Sequence, residues 1–162
     1  MSEHTDRYTF SRVSGPEGYR IARELFREYA STLDFDLCFQ DFEGELAGIE
    51  VMYAPSGGGI ILMKEEVTGT FPGCAAIRRI DTGTAELKRM YIRDTCRGRG
   101  LGRRLLDEAI DLARGLNYRV IRLDTMPTMS AAIALYKSAG FREIPPYRFN
   151  PDQGAVFMEK HL

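Results

Sequence analysis

Between residues 92 and 101 the chain changes its hydrophobic period, and that switch constrains its fold more than any other segment. Ala85–Ile92 reads as a strand. From Leu101 onward, Leu101, Leu105, Ala109, Leu112 and Leu116 fall on one helical stripe, with Arg103/Asp107 and Arg104/Glu108 as i,i+4 pairs on the opposite face. The link between them is Arg97-Gly98-Arg99-Gly100-Leu101-Gly102-Arg103. Glycines allow a tight turn and close approach of a ligand to the backbone. The first helical turn exposes unpaired N–H groups, and the helix dipole adds about half a positive charge there. Arginines supply bidentate donors. The segment therefore reads as an anion site, for a phosphate and most simply a pyrophosphate. It is not a P-loop, since neither the spacing nor the Lys-Ser/Thr pair is present, and a dinucleotide fingerprint would need its third glycine where Arg103 stands.

The elements on either side follow from pattern. Residues 7–13 alternate as a short strand, and Pro16 opens an amphipathic helix with Ile21, Leu25, Phe26 and Tyr29, ending near Leu33. A shorter helix is expected over Asp41–Ile49, then a loop at Pro55-Ser56-Gly57-Gly58-Gly59. Strands are expected at Ile60–Lys64, Cys74–Ile80 and Ala85–Ile92, with Asp81-Thr82-Gly83 as a hairpin turn. After the long helix, closed by Asn117 in the left-handed conformation, come a strand at Tyr118–Asp124, a helix at Ser130–Ala139 stopped by Gly140, and a strand at Ala155–Glu159. The order β-α-α-β-β-β-α-β-α-β describes an α/β protein with a mixed sheet flanked by helices. At 162 residues, 44% of them hydrophobic, one domain over 1–162 is expected.

Charge is polarised although the net is -1. Residues 33–63 hold six acids (Asp34, Asp36, Asp41, Glu43, Glu45, Glu50) and no base, whereas residues 88–104 hold seven bases against Asp94. The basic stretch has no stacking aromatics beyond Tyr91, so nucleic acid is not the expected partner. The two histidines, His4 and His161, lie at the chain ends, which disfavours a histidine-based triad. Cys38, Cys74 and Cys96 are widely spaced and odd in number, and read as small apolar residues with no metal site. No run approaches the ~18 apolar residues of a membrane span, and the N-terminus has no signal-peptide pattern. A soluble, cytoplasmic protein without a membrane partner is the expectation.

The stretch Glu86–Leu106, ELKRMYIRDTCRGRGLGRRLL, resembles the central motif of the GNAT (GCN5-related) N-acetyltransferases, and Ala131–Phe141, AAIALYKSAGF, resembles that family's second motif. Both occur in family order, so the likeness covers residues 60–160. It implies a sheet whose fourth and fifth strands splay into a slot for acetyl-CoA. The backbone of Met90, Tyr91 and Ile92 would pair with the pantetheine arm, and the amides from Gly98 through Arg99, Gly100, Leu101 and Gly102 to Arg103, with Arg97 beside them, would hold the pyrophosphate. Met129 and Ala132 would also meet the cofactor, although many relatives have asparagine where this chain has Met129. The resemblance also implies an amine acceptor, a small molecule or a peptide, and a homodimer is common among relatives.

For chemistry, the resemblance implies Tyr136 as general acid. A thiol titrates near 8.5 and a phenol near 10, so a tyrosine can protonate the departing sulfur at neutral pH. Two carboxylates match positions of family bases: Glu86, which would act best if partial burial raised its pKa, and Asp124 on the next strand. The acidic, aromatic stretch Asp34–Phe42 would draw a cationic amine, and Tyr147 and Asn150 could reach the same pocket. A non-catalytic acyl-CoA sensor of the same fold is the alternative.

Overall fold

The computed structural model describes residues 7–33, 36–37 and 41–162. A seven-stranded mixed sheet runs through it in the order β1-β2-β3-β4-β5-β7-β6. The strands are β1 (Tyr8–Arg12), β2 (Gly59–Glu65), β3 (Gly73–Arg79), β4 (Thr84–Ile92), β5 (Val120–Thr125), β6 (Arg142–Ile144) and β7 (Val156–His161). The helices are α1 (Gly15–Thr32), α2 (Phe42–Ala47), α3 (Ile49–Met52), α4 (Leu101–Gly115) and α5 (Ser130–Ser138). All neighbours are antiparallel except β4 and β5.

Both faces of the central strands are covered, which is why β2 reads as a continuous apolar run rather than an alternating one. Ile60 and Leu62 face a core built on α1, with Leu25, Phe26, Ile49 and Tyr53. Ile61 and Met63 face the opposite core, with Leu101, Leu105, Ala109 and Ala113 of α4. On β3, Ala75 and Ala76 belong to opposite cores. Their small side chains let helices approach both faces.

Most sequence expectations hold to within a few residues. Asp81 accepts from the Gly83 amide at 2.9 Å and turns β3 into β4. Asn117 has a φ of 66°, closing α4 as expected. The Arg103–Asp107 pair forms, while Arg104 turns toward β1, lying over the Phe10 ring. Cys74 and Cys96 are buried, and Cys38 and His4 lie outside the described residues. Two elements were not anticipated. The expected helix over 41–49 is broken at Gly48 into α2 and α3. The short edge strand β6, with two charged residues in three and Pro145-Pro146 behind it, carries no local signal and exists because β7 offers it a ladder.

The irregularity that matters is in β4. Its register with β3 passes from Cys74↔Tyr91 to Ala76↔Lys88, so three residues of β4 span two of β3. Arg89 sits at this bulge with a φ of 55°, a left-handed conformation that a long side chain adopts only when its surroundings impose it. The extra residue reverses the facing pattern: Ala85 and Leu87 share a core with Ile92, whereas Tyr91 lies in the other. Contacts from β3 and α2 hold the bulge. The Arg89 carbonyl accepts from the Cys74 thiol at 3.3 Å, and the guanidinium donates to both Glu45 oxygens at 2.9 and 2.7 Å. Glu45 is 1% exposed and also accepts from the Tyr53 hydroxyl.

Burial pushes the Glu45 carboxyl up, but hydrogen bonds and charge from Arg89 outweigh it and hold it below its ordinary 4.5. The pair's contribution is therefore present above about pH 4.5 and lost as the pH falls through the lowered folded value. Glu45→Gln leaves the buried guanidinium facing a neutral amide and should cost about 3–5 kcal/mol. Urea unfolding at pH 7 measures it; a loss below about 1 kcal/mol would show that the bulge stands without this pair.

Candidate active site

The parallel pairing of β4 with β5 lasts three residues, Thr84↔Val120, Ala85↔Ile121 and Glu86↔Arg122. Beyond Glu86 the strands separate, because β5 stays bonded to β7 along its whole length while the bulged β4 follows β3. The slot that opens is walled on one side by Leu87, Lys88, Arg89 and Met90 and on the other by Leu123, Asp124 and Thr125. Met129, Ala132 and Tyr136, at and within α5, close one face of it, and Tyr29 and Asn150 approach from elsewhere.

The slot side of β4 leads through Ile92 and a short turn at Asp94–Cys96 into the glycine-arginine loop. Gly98 and Gly100 have φ of 79° and 72°. A Cβ at either would meet no atom within 4 Å, so it is backbone conformation that calls for glycine, and the space before the loop is open. Gly100 is the N-cap of α4 and supplies no side-chain oxygen to the orphan amides of the first turn. At Gly102 crowding does matter, since a Cβ would stand 3.3 Å from Leu135 Cδ2; glycine here lets α4 begin against α5.

The four arginines diverge. Arg97 Nε donates to the Ile92 carbonyl at 2.9 Å, and its guanidinium pairs with Asp94, bracing the end of β4. Arg99 donates to the Tyr8 hydroxyl at 3.0 Å, toward β1 as Arg104 does. Arg103 reaches the Ser138 carbonyl at the end of α5. Arg97 and Arg103 flank the loop, both half-exposed. An uncapped helix N-terminus facing open space at the end of a slot fits a long ligand with an amide arm and a pyrophosphate.

Tyr136 is buried on the slot, tilted against Phe141 at 5.8 Å. Burial pushes its phenol well above its ordinary range, and the neighbouring Tyr29 and Asp124 push the same way, so the hydroxyl keeps its proton at neutral pH. Met129 caps α5, and its sulfur accepts from the Thr125 hydroxyl at 3.5 Å. Met90 is half-buried on the slot wall, while Tyr91 and Ile92 are buried and pair with Cys74 and Gly73 on β3.

The carboxylates are in denser company than their sequence context indicates. Glu86 is wholly buried. It accepts from the Tyr147 hydroxyl at 2.6 Å and from Arg78 Nε at 3.0 Å, with Lys88 Nζ and Arg148 Nη1 each at 3.6 Å. Asp124 lines the slot and accepts from Arg148 at 2.7 Å and Asn150 at 3.2 Å. Asn150 thus lines the slot, while Tyr147 is engaged by Glu86 behind it. The acidic stretch Asp34–Phe42 reaches the slot at Leu37. Asp34, Phe35 and residues 38–40 lie outside the described residues, Asp36 is exposed, Asp41 caps α2, and Glu45 is consumed by Arg89.

Lys88 and Arg148 were missed by sequence reasoning. Lys88 belongs to Glu86-Leu87-Lys88-Arg89, three charges in four residues of a strand otherwise buried, which is itself a signal of a polar site. Burial pushes the Lys88 ammonium down to about 8; the charges of Arg89 and Arg148 act in the same direction, and Glu86 and Glu45 oppose them.

Residues 16–141 match the acetyltransferase (GNAT) family. An uncharacterized N-acetyltransferase of Schizosaccharomyces pombe is 36% identical over 155 residues, spanning 95% of this chain and 94% of that protein. An acetyltransferase from Streptococcus agalactiae shares the fold with a TM-score of 0.77 at 24% identity, covering 97% of this chain and 99% of that one. YncA from Salmonella typhimurium, solved with its cofactor acetyl-CoA, gives 0.71 at 20% identity, covering 95% and 93%. With a matching family over most of its length, a near-full-length N-acetyltransferase relative and the same sheet opened between β4 and β5, the chain belongs to the GNAT family of acetyl-CoA-dependent N-acetyltransferases.

Proposed function

We propose that the protein moves the acetyl group of acetyl-CoA directly to a primary amine within a ternary complex, with Tyr136 as the general acid. The observation that carries this reading is continuity: the unpaired stretch of β4 beyond Glu86 leads straight to the uncapped N-terminus of α4. Acetyl-CoA supplies the activated thioester. The amides from Gly98 to Arg103 receive its pyrophosphate, and the exposed edge of β4 at Met90 and Tyr91 receives the pantetheine amides. Ile92 contributes less, since its carbonyl is already bonded to Arg97. Met129 and Ala132 pack against the arm, Met129 through van der Waals contact rather than the hydrogen bond an asparagine would make.

In the transfer, the amine nitrogen bonds to the acyl carbon as the carbon–sulfur bond breaks, Tyr136 gives its proton to the departing sulfur, and the proton shed by the amine nitrogen balances the one that Tyr136 regains through solvent. Tyr136 is suited to this because its phenol is desolvated and stays protonated. The amine proton is taken up at the acceptor end, where Asp124 lines the slot itself. Glu86 serves there by holding Tyr147, Lys88 and Arg148 in place.

Two measurements test this. Acetyl-CoA at about 100 times its dissociation constant should stabilise the protein by ~2.7 kcal/mol, a rise in Tm of roughly 5–11 °C for a chain of this size. Absence of any shift up to millimolar acetyl-CoA would remove the cofactor site, and a shift without CoA release from any amine would favour an acyl-CoA-binding module. Tyr136→Phe should retain the shift and lower kcat by about 100-fold or more; unchanged kcat would make Tyr136 a packing residue.

A further inference from the structure

Tyr29 reaches the slot from α1 and takes no part in the steps above. The slot lies between the two cores of the sheet. Leu87, Leu123 and Tyr136 belong to the core under α4, whereas Tyr29 packs on the core under α1, so the two tyrosines address the slot from opposite faces of the sheet. The Tyr29 ring is held in place. It lies 5.7 Å from the ring of Tyr91, and Glu28 beside it accepts from Arg93 Nε at 2.8 Å, which ties the end of α1 to the end of β4. Its hydroxyl is not held in this way. Tyr53, Tyr118 and Tyr147 each donate to an oxygen atom, but the Tyr29 hydroxyl has no such partner among the described residues. Among those residues Arg148 Nε is the sealed polar side-chain atom that lacks a partner. The Tyr29 hydroxyl, lacking one too, is therefore open to the slot. Burial pushes its phenol above the ordinary value; Arg89 opposes this, Asp124 and Cys74 add to it, and Tyr29 in turn raises Tyr136. The hydroxyl thus stands among Arg89, Asp124 and Tyr136, and a polar group left unmet there is a cost unless a ligand meets it.

We infer that the Tyr29 hydroxyl binds the amino group of the acceptor, taking a hydrogen bond from one of its N–H groups on the α1 side of the slot. This rests on the acetyltransferase reading above and adds the residue and the face by which the amine is held. A neutral primary amine brings two N–H groups and a lone pair. With the thioester arm laid along Met90 and the α5 face, the amine enters from the other face. One N–H directed at Tyr29 Oη and the other at Asp124 turns the lone pair toward the acyl carbon, with Tyr136 across the slot as the acid. Orientation of this kind lowers the barrier without adding charge to the site. A phenol also suits the task better than a second carboxylate would, because a neutral acceptor does less to stabilise the ammonium form, which cannot attack.

The probe is a bisubstrate amide, CoA joined from its sulfur through a methylenecarbonyl bridge to n-butylamine, which places an N–H beside the reaction point whatever the natural acceptor is. Its N-methyl counterpart lacks that N–H. Calorimetric titration of the wild-type protein should give about three- to tenfold tighter binding of the N–H amide, the range of one neutral hydrogen bond. Tyr29→Phe keeps the ring that packs on Tyr91, and it should remove that preference while leaving the affinity for CoA itself unchanged. With a primary amine that is turned over, the same variant should raise the amine KM by a similar factor and change kcat less, whereas Tyr136→Phe acts on kcat; an effect of Tyr29→Phe on kcat alone overturns the inference. Equal binding of the two amides by the wild-type protein, or a preference that survives Tyr29→Phe, overturns it as well, but not the transferase reading. So does a Tyr29→Phe protein that fails to fold, since the hydroxyl would then serve stability. Failure of the wild-type protein to bind CoA or acetyl-CoA would instead remove the parent reading.

Discussion

The slot depends on a buried ion pair at a strained residue. Arg89 takes a left-handed conformation that its bulk disfavours, and Glu45 on α2, with the Cys74 thiol on β3, fixes it there. Because strand facing has a period of two, one inserted residue reverses which side every later residue of β4 addresses. Ile92 is thereby delivered to the core under α4, and β4 twists away from β5 once Glu86↔Arg122 is passed. Without the bulge the two strands would have every reason to continue their ladder, and there would be no gap between them. The fold thus opens a sheet at its centre, at a point where a parallel pair would ordinarily be closed and buried.

What the opening exposes is asymmetric. Toward α4 it presents backbone: an unpaired strand edge, then helix amides without a cap. Toward the loop between β6 and β7 it presents side chains: Lys88, Asp124 and Asn150 on the slot, with Glu86, Tyr147 and Arg148 holding them. Backbone donors suit a ligand that never varies. Side-chain networks suit one that differs between relatives, because a few substitutions retune their charge without disturbing the sheet. The charge split of the chain follows the same division only in part. Its basic stretch borders the glycine-arginine loop, while in the acidic stretch Glu45 is spent on Arg89, Asp41 caps α2 and Leu37 lines the slot.

Local pattern made much of this legible. The α4 stripe, the Asx turn at Asp81, Asn117 and Gly140 are short-range devices whose physics is complete within a few residues, and each stands where its neighbours require. Tyr136 could be placed on the face of α5 that meets the protein body for the same reason. Long-range facts were not available in this way. Nothing near Arg89 announces a bulge, because the carboxylate that holds it lies 44 residues earlier. Glu86 looks like an ordinary alternating strand residue until the loop carrying Tyr147 and Arg148, 61 residues on, folds over it.

By itself, then, the sequence determined most of the elements and their order, the glycine-arginine turn into α4 and the helix that carries Tyr136, because hydrophobic period, glycine at positive φ and helix-end electrostatics act between near neighbours. Only the tertiary structure decided which carboxylates meet which cations and where β4 parts from β5. Those outcomes are sums over groups brought together from α2, β3, β4, β5 and the β6–β7 loop, and burial multiplies each charge in a way that sequence position does not record.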